Sequence, residues 1–217
     1  PKQFLMLGDK PILAHTVEKF CAVGLFDSIV ILCPEPWMQQ TRDLLRRYCP
    51  DCCDKIAVEA GGATRNDTVR NAISYFCENS KVDENSILVT HDAVRPFVSH
   101  RIIEENVQAA IEFGACDTVV PATDTIVQSD DGALISAIPD RSKLYQGQTP
   151  QSFNLLELKQ LMSSLSSDEE AILTDACKIY TLRGRKVALV RGDVSNMKIT
   201  YPHDLRVASA LMGSSRA

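Results

Sequence analysis

The stretch SILVTHDAVRPFVSHRIIEENVQAAIEFGACDTVVP, residues 86–121, contains a strand, a helix and a second strand in immediate succession. Ser86 to Thr90 is a short aliphatic run, which is typical of a buried strand. A helix is predicted from about Ser99 to Phe113, and Asp117 to Pro121 forms the next strand. Two strands joined through a helix run parallel, because the crossover returns the chain to the same end of the sheet.

The same alternation extends through most of the chain. Further strands are predicted at Ser28–Cys33, Lys55–Glu59 and Lys186–Val190, with helices at Lys10–Phe20, Glu35–Tyr48, Asn66–Cys77, Leu155–Leu165, Asp168–Tyr180 and Pro202–Leu211. This order predicts an α/β fold with a mostly parallel, Rossmann-like sheet and helices on both faces. Ligands of such sheets bind at the carboxyl ends of the strands.

One segment departs from the alternation. Residues 123–152 are rich in Thr, Val, Ile, Asp and Gly, and Asp130-Asp131-Gly132 is a good hairpin turn. The segment has too few apolar residues for a core layer of its own. We predict a β-arm that protrudes from a single domain spanning residues 1–217.

Composition excludes several classes of protein. The 217 residues are 45% hydrophobic with a net charge of −5, which rules out disorder across most of the chain and disfavours a nucleic-acid partner. The longest apolar run is Ile29 to Cys33, whereas a membrane span needs about 20 residues, so no membrane association is expected. The eight cysteines are irregularly spaced, and Cys49-x-x-Cys52 lacks the second pair of a zinc knuckle. We expect reduced thiols in a cytoplasmic protein.

A glycine-rich loop lies between a predicted strand and helix. Two glycines let the backbone approach a ligand, and a helix N-terminus offers free N–H groups to an anion. The alternative is a tight turn in which Asn66 or Asp67 caps the helix. The loop residues are Gly61, Gly62, Ala63, Thr64, Arg65, Asn66, Asp67 and Thr68.

A second candidate site directly follows the strand that ends at Thr90. In His91-Asp92-Ala93-Val94-Arg95-Pro96, the Asp92 carboxylate is well placed to hold Mg²⁺ or a substrate hydroxyl. The alternative is an Asp92–Arg95 ion pair that closes the loop. We interpret His91 as a hydrogen-bonded loop or core histidine rather than a base.

These segments resemble the sugar-alcohol-phosphate cytidylyltransferases, a family of nucleotidyltransferases that includes methylerythritol-phosphate and ribitol-5-phosphate enzymes. The resemblance extends from Pro1 to about Leu211 and is specific. Its motifs are Pro1–Leu5 (PKQFL), Gly61–Thr68, His91–Pro96, Asp124-Thr125, Gln148–Gln151 (QTPQ) and Asn196–Thr200 (NMKIT). Tyr145–Phe153 and Leu173–Ile179 look more like the ribitol branch, since Ala176 stands where the methylerythritol branch usually has an acidic residue.

The resemblance implies transfer of CMP from CTP to a sugar-alcohol phosphate, with Mg²⁺ as cofactor. Lys2 and Lys198 would be catalytic, residues 61–68 with Asp92 and Ala93 would bind the nucleotide, and Asp92 would hold the metal. The acceptor phosphate would be bound by Arg95, Thr125, Arg141, Thr149 and Lys198.

The resemblance also implies a homodimer in which the arm crosses to the partner, so that Arg141 acts in the neighbouring site. The family places a strand and a glycine-rich loop with an Arg before the position of Pro1. A bacterial cytoplasmic enzyme for wall teichoic acid or capsule synthesis is implied in the same way.

Three alternatives remain open from the sequence. The acceptor could be 2-C-methyl-D-erythritol 4-phosphate, or the nucleotide could carry another base. The chain could instead be a non-catalytic nucleotide- or sugar-phosphate-binding module.

Overall fold

The computed structural model describes residues 1–171, 173 and 175–214. Along these residues helices and strands alternate, as predicted. The strands are β1 (Met6–Leu7), β2 (Lys10–Pro11), β3 (Ile29–Cys33), β4 (Ile56–Ala60), β5 (Ile87–Thr90), β6 (Ala115–Pro121), β7 (Tyr145–Asn154) and β8 (Ala188–Arg191). The α-helices are α1 (Ile12–Val23), α2 (Met38–Tyr48), α3 (Arg65–Asn79), α4 (His100–Phe113), α5 (Leu155–Ser163), α6 (Ser167–Ala171), α7 (Ala176–Leu182) and α8 (Pro202–Ser214).

The largest sheet has the strand order β5-β7-β6-β8. β6 and β8 run parallel, whereas β7 is antiparallel to both of its neighbours, β5 and β6. β5, β6 and β8 therefore share one direction, and β7 is reversed. β3 and β4 form a separate parallel pair. The predicted α/β architecture is confirmed, and the reversed strand is the feature that sequence analysis did not anticipate.

β7 corrects the predicted extent of the arm. Side chains from Gln148 to Phe153 are buried within the sheet, although residues 148–152 are mostly polar. Internal hydrogen bonds accompany this burial. The Thr118 hydroxyl donates to the Pro150 carbonyl (2.6 Å), and the side-chain amide of Asn196 donates to the Thr149 carbonyl (2.9 Å). The arm is therefore limited to residues 123–144, and its base is closed by a hydrogen bond from the Ala122 amide to the Leu144 carbonyl.

Helices cover both faces of the β5-β7-β6-β8 sheet. Leu88, Ala115 and Phe153 pack against α3, α5 and α7, whereas Ile87 and Cys116 pack with α4. Adjacent residues of a strand point to opposite faces, which is why this sheet is apolar on both sides.

The helix predicted over Asp168–Tyr180 is interrupted. α6 ends at Ala171 and α7 begins at Ala176, where the Asp175 carboxylate accepts from the Cys177 amide (2.7 Å) and caps the new helix. An Asp at an N-cap starts a helix rather than continuing one. Of the motif at 173–179, Thr174 lies outside the described residues, as does residue 172.

A cavity of about 640 Å³ separates β3 from β5. Its walls include β3, β5 and the inner faces of α1 and α3. Within the described residues β3 pairs only with β4, and β5 pairs only with β7. Each strand thus presents an unpaired edge. In the described part of the chain, no helix combines the length and apolar character needed to cross a membrane.

Candidate active site

Asp92, at the carboxyl end of β5, lies at the centre of a cluster of cations. Its Oδ1 is 3.1 Å from Arg65 Nη1 in the first turn of α3. Its Oδ2 is 3.1 Å from both Arg95 Nε and Lys198 Nζ. Three separate segments of the chain therefore meet at one carboxylate. The predicted Asp92–Arg95 ion pair is present, and it forms part of this larger cluster.

The electrostatic balance of the cluster is positive. Burial raises the pKa of the Asp92 carboxyl, but Lys198 and Arg65 outweigh burial and hold the pKa far below its usual range. Asp92 is therefore ionised at neutral pH and offsets only one of the three positive charges. A surplus of fixed cations at the end of a strand is suited to binding phosphate groups.

Residues 61–68 form the loop from β4 to α3. The Gly61 amide donates to the Cys33 carbonyl (2.9 Å), which ties the loop to the end of β3. The Thr64 hydroxyl accepts from the Asp67 amide (3.1 Å), and the Asp67 carboxylate accepts from the Thr64 amide (3.1 Å). This is a capping box. The alternative interpretation of the loop named Asn66 or Asp67 as the cap, whereas the cap is Thr64 with Asp67 as its partner.

Gly62 is required at its position by close packing. A Cβ there would lie 2.7 Å from the carbonyl carbon of Asp67 and 2.8 Å from the Thr68 nitrogen. A Cβ on the neighbouring Gly61 would meet Thr68 Oγ1 at an ordinary 3.5 Å. The loop therefore packs its backbone directly onto the first turn of α3 at Gly62, beside Arg65.

The loop after β5 is held by side chains from other segments. His91 Nδ1 lies 2.9 Å from Thr149 Oγ1, and its Nε2 lies 3.1 Å from the Arg95 carbonyl. Removal from water lowers the pKa of His91 to about 4, so the imidazole is neutral, in agreement with the predicted structural role. The Thr16 hydroxyl donates to the Ala93 carbonyl (3.0 Å).

Lys2 lies within electrostatic range of Asp204, in the first turn of α8. It belongs to a short 3-10 helix, Lys2–Phe4. Backbone hydrogen bonds from Tyr201 and Thr200 lower the pKa of Asp204, and the Lys2 charge adds to that effect. Among the described residues, no contact joins Lys2 directly to Asp92.

Of the remaining predicted acceptor-binding residues, Thr125 and Arg141 make no contact with the cluster in the described part of the chain, whereas Thr149 does. Thr125 and Arg141 are exposed in the arm, where Arg141 Nη1 donates to the Thr123 carbonyl (2.8 Å). Thr149 is 4% exposed, and its hydroxyl contacts His91 and the Asp92 amide (3.0 Å). Its hydroxyl therefore supports the loop that follows β5.

Sequence analysis missed a partly buried acid–amide cluster on β6, β7 and the N-cap of α7. The Gln151 amide nitrogen donates to Asp117 Oδ1 (3.0 Å) and Asp175 Oδ2 (2.7 Å). Burial, with a contribution from Asp175, raises the pKa of Asp117 to about 6, although the Gln151 hydrogen bond opposes the shift. The one signal in the sequence was Asp117, a charged residue at the first position of the strand segment DTVV.

The described residues do not form a divalent-metal site on their own. No group of three His, Cys, Asp or Glu side chains suited to a metal occurs among them, which leaves Cys49 and Cys52 without the partners of a zinc site. Both oxygens of Asp92 already contact cations. Because Mg²⁺ in nucleotide sites takes many of its ligands from water and phosphates, an ion here fits only as part of a metal–nucleotide complex.

The sequence is similar to those of known cytidylyltransferases. A family model described as 2-C-methyl-D-erythritol 4-phosphate cytidylyltransferase matches residues 1–214. A ribitol-5-phosphate cytidylyltransferase from Lactiplantibacillus plantarum is 50% identical over 212 residues, which are 98% of this chain and 90% of that protein.

Solved structures resemble the fold over nearly its whole length. The 2-C-methyl-D-erythritol 4-phosphate cytidylyltransferase of Francisella tularensis is 28% identical with a TM-score of 0.82, covering 97% of this chain and 92% of that one. The enzyme of the same name from Thermus thermophilus is 27% identical with a TM-score of 0.77, covering 97% and 93%.

Proposed function

Because this chain belongs to the 2-C-methyl-D-erythritol 4-phosphate cytidylyltransferase family, we propose that it transfers CMP from CTP to D-ribitol 5-phosphate. The products are CDP-ribitol and pyrophosphate. The observation that carries the choice of acceptor is the 50% identity to a ribitol-5-phosphate cytidylyltransferase. The methylerythritol-phosphate enzymes of known structure described above are 27–28% identical, so that acceptor is the weaker alternative.

The reaction is an in-line substitution at phosphorus. An oxygen of the acceptor phosphate attacks the α-phosphorus of CTP, and the bond to the bridging oxygen of the β-phosphate breaks. Pyrophosphate leaves with that electron pair. The attacking oxygen is already ionised at neutral pH, so the protein mainly aligns the reactants and neutralises charge.

The cations around Asp92 suit this task. Lys198 and Arg65 would contact the phosphates. Arg95, paired with Asp92, would lie on the side of the site that binds the acceptor. Lys2 would stabilise the transition state as a point charge. The backbone of residues 61–68 would read cytosine and ribose. Mg²⁺ would enter with CTP, bound by its phosphates, and would offset their charge.

We also propose a homodimer formed through the arm. The arm and its base expose a dense set of apolar side chains, which a partner would cover. Arg141 would then reach the partner's site, so mixing Arg141→Ala and Lys2→Ala proteins should restore turnover. No recovery after verified subunit exchange would contradict this. The exposed residues are Ile126, Val127, Leu134, Ile135, Ile138 and Tyr145.

A further strand is proposed to complete the sheet between β3 and β5. The cavity there and the two unpaired strand edges support it, and the family resemblance places such a strand before Pro1. Protein made with whatever natural residues precede Pro1 should be more stable and more active than protein starting at Pro1. Equal stability and activity would oppose the proposal.

Pyrophosphate release tests the function. The protein is given CTP and Mg²⁺ with ribitol 5-phosphate or 2-C-methyl-D-erythritol 4-phosphate in parallel, and UTP and ATP replace CTP as controls. Activity with ribitol 5-phosphate alone supports the proposal. Activity with the other acceptor alone keeps the chemistry and overturns the substrate, and CTP binding without turnover would support a binding module.

The cellular role follows from the product. We propose a bacterial cytoplasmic enzyme whose CDP-ribitol supplies wall teichoic acid or capsule synthesis. The bacterial source of the ribitol-5-phosphate relative supports this.

A further inference from the structure

His91 and Thr149 connect the cation cluster to the reversed strand β7. His91 contacts Thr149 Oγ1 through Nδ1 (2.9 Å) and the Arg95 carbonyl through Nε2 (3.1 Å). The same Thr149 oxygen accepts from the Asp92 amide (3.0 Å). The chain of contacts therefore runs from Arg95 through His91 and Thr149 to Asp92.

The direction of every hydrogen bond in this chain is determined by its ends. The Arg95 carbonyl can only accept, so His91 Nε2 carries the proton and Nδ1 is an acceptor. Thr149 must then donate its hydroxyl proton to Nδ1, which leaves its oxygen lone pairs for the Asp92 N–H. His91 and Thr149 therefore each donate one hydrogen bond and accept another.

These hydrogen bonds also extend to the segment that carries Lys198. Asn196 Nδ2 donates to the Thr149 carbonyl (2.9 Å), and Arg95 Nη1 donates to the Asn196 carbonyl (2.9 Å). Lys198 follows Asn196 by two residues. The hydrogen bonds around Thr149 thus hold Asp92, Arg95 and the base of Lys198 in one arrangement.

We propose that His91 and Thr149 are positioning residues for cytidylyl transfer, holding Asp92, and through it Arg95 and Lys198, in the geometry that the phosphates require. The inference rests on the proposed function. Neither side chain touches a reacting atom. Their contribution is to hold the catalytic groups in place before the substrates bind. Small displacements of such groups lower the reaction rate strongly.

Three variants separate the links of the chain. Thr149→Val removes the hydroxyl at nearly constant volume. In His91→Gln the side-chain amide can still donate to the Arg95 carbonyl but offers nothing to Thr149. In His91→Asn the amide oxygen can still accept from Thr149. Thr41→Val is the matched control, since Thr41 is also buried (1% exposed) and its hydroxyl also donates a hydrogen bond, in this case to the Trp37 carbonyl.

We expect Thr149→Val and His91→Gln each to lower kcat/KM by roughly tenfold to a hundredfold, with His91→Asn less affected and Thr41→Val unchanged. In the His91→Gln background, Thr149→Val should lower kcat/KM little further, because the hydrogen bond between residues 91 and 149 is already lost. In the His91→Asn background, Thr149→Val should lower kcat/KM by its full factor. Additive losses in both backgrounds, or Thr149→Val within threefold of wild type, would overturn the proposal.

Two readouts do not depend on the acceptor. Nitrogen-15 NMR of the imidazole should show the proton on Nε2 of His91, and a proton on Nδ1 would overturn the proposal. Calorimetric binding of Mg·CTP should weaken in Thr149→Val and not in Thr41→Val, and equal binding would count against it. A wild-type protein that binds CTP but turns over neither acceptor would instead contradict the proposed function.

Discussion

At the scale of single residues, Asp92 organises the site by charge. The side chains of Asp92 and Arg95 are only 11% and 10% exposed, whereas those of Arg65 and Lys198 are each 42% exposed. Arg65 and Lys198 can turn towards water if the carboxylate is lost, but Arg95 cannot. Loss of the Asp92 charge would therefore destabilise the protein mainly through Arg95, whose charge would stay buried without its partner.

Asp92→Asn should destabilise the protein by about 3 kcal/mol, because it leaves Arg95 as an uncompensated buried charge, and it should abolish turnover. Urea unfolding followed by Trp37 fluorescence measures the change. Asp54→Asn is the control, since Asp54 is exposed in a short 3-10 helix. Equal stability of the two variants would contradict the account of Asp92.

Asp117 makes stability depend on pH in a defined direction. Its pKa of about 6 in the folded state lies above the ordinary value of about 3.9 in the unfolded chain. Folding is therefore favoured by the protonated form. This contribution is complete below about pH 4, is lost as pH rises through 6, and amounts to at most about 3 kcal/mol.

Asp117→Asn should remove that dependence. The amide oxygen of Asn can accept the Gln151 hydrogen bond without carrying charge. We expect the variant to gain stability relative to wild type between pH 4 and 7 and to keep that gain at pH 8, as measured by urea unfolding at each pH. A difference that does not change with pH would show that Asp117 is not the titrating group.

At the scale of elements, two junctions create the site. The capping box starts α3 so that Arg65 meets Asp92, and the reversed β7 brings Thr149 level with the end of β5. The first junction depends on Gly62, where the loop backbone lies against the first turn of α3.

Gly62→Ala should raise the KM for CTP by roughly tenfold or more, equivalent to about 1.4 kcal/mol of lost binding, because a Cβ there would push the loop from α3. Gly61→Ala is the matched control, as its Cβ would make only an ordinary contact. Initial rates at varied CTP measure both. Similar KM values would mean that the loop does not contact the nucleotide.

At the scale of the whole molecule, apolar surface is concentrated on the arm. Ile135 in the arm and Ile111 in α4 are both 61% exposed. If the arm forms the dimer, only Ile135 becomes buried on association.

Ile135→Glu should therefore yield monomers, whereas Ile111→Glu should leave the dimer intact. Light scattering coupled to size-exclusion chromatography distinguishes the two. The Ile135 variant should also lose activity, because Arg141 would no longer reach a second site. A wild-type monomer with full activity would exclude the proposed dimer.

Sequence by itself determined most of the helices and strands, the position of the glycine loop and the resemblance to a family. Periodicity records how each segment is buried, and burial is local enough to be read along the chain. Tertiary structure alone decided that β7 is reversed, that Thr149 hydrogen-bonds to the loop after β5, and that three cations share Asp92. The physical reason is that strand direction and hydrogen-bond partners depend on packing between distant segments, such as Asp92 and Thr149, 57 residues apart. A polar run such as residues 148–152 has the same composition whether it is exposed to water or buried among hydrogen-bonding partners.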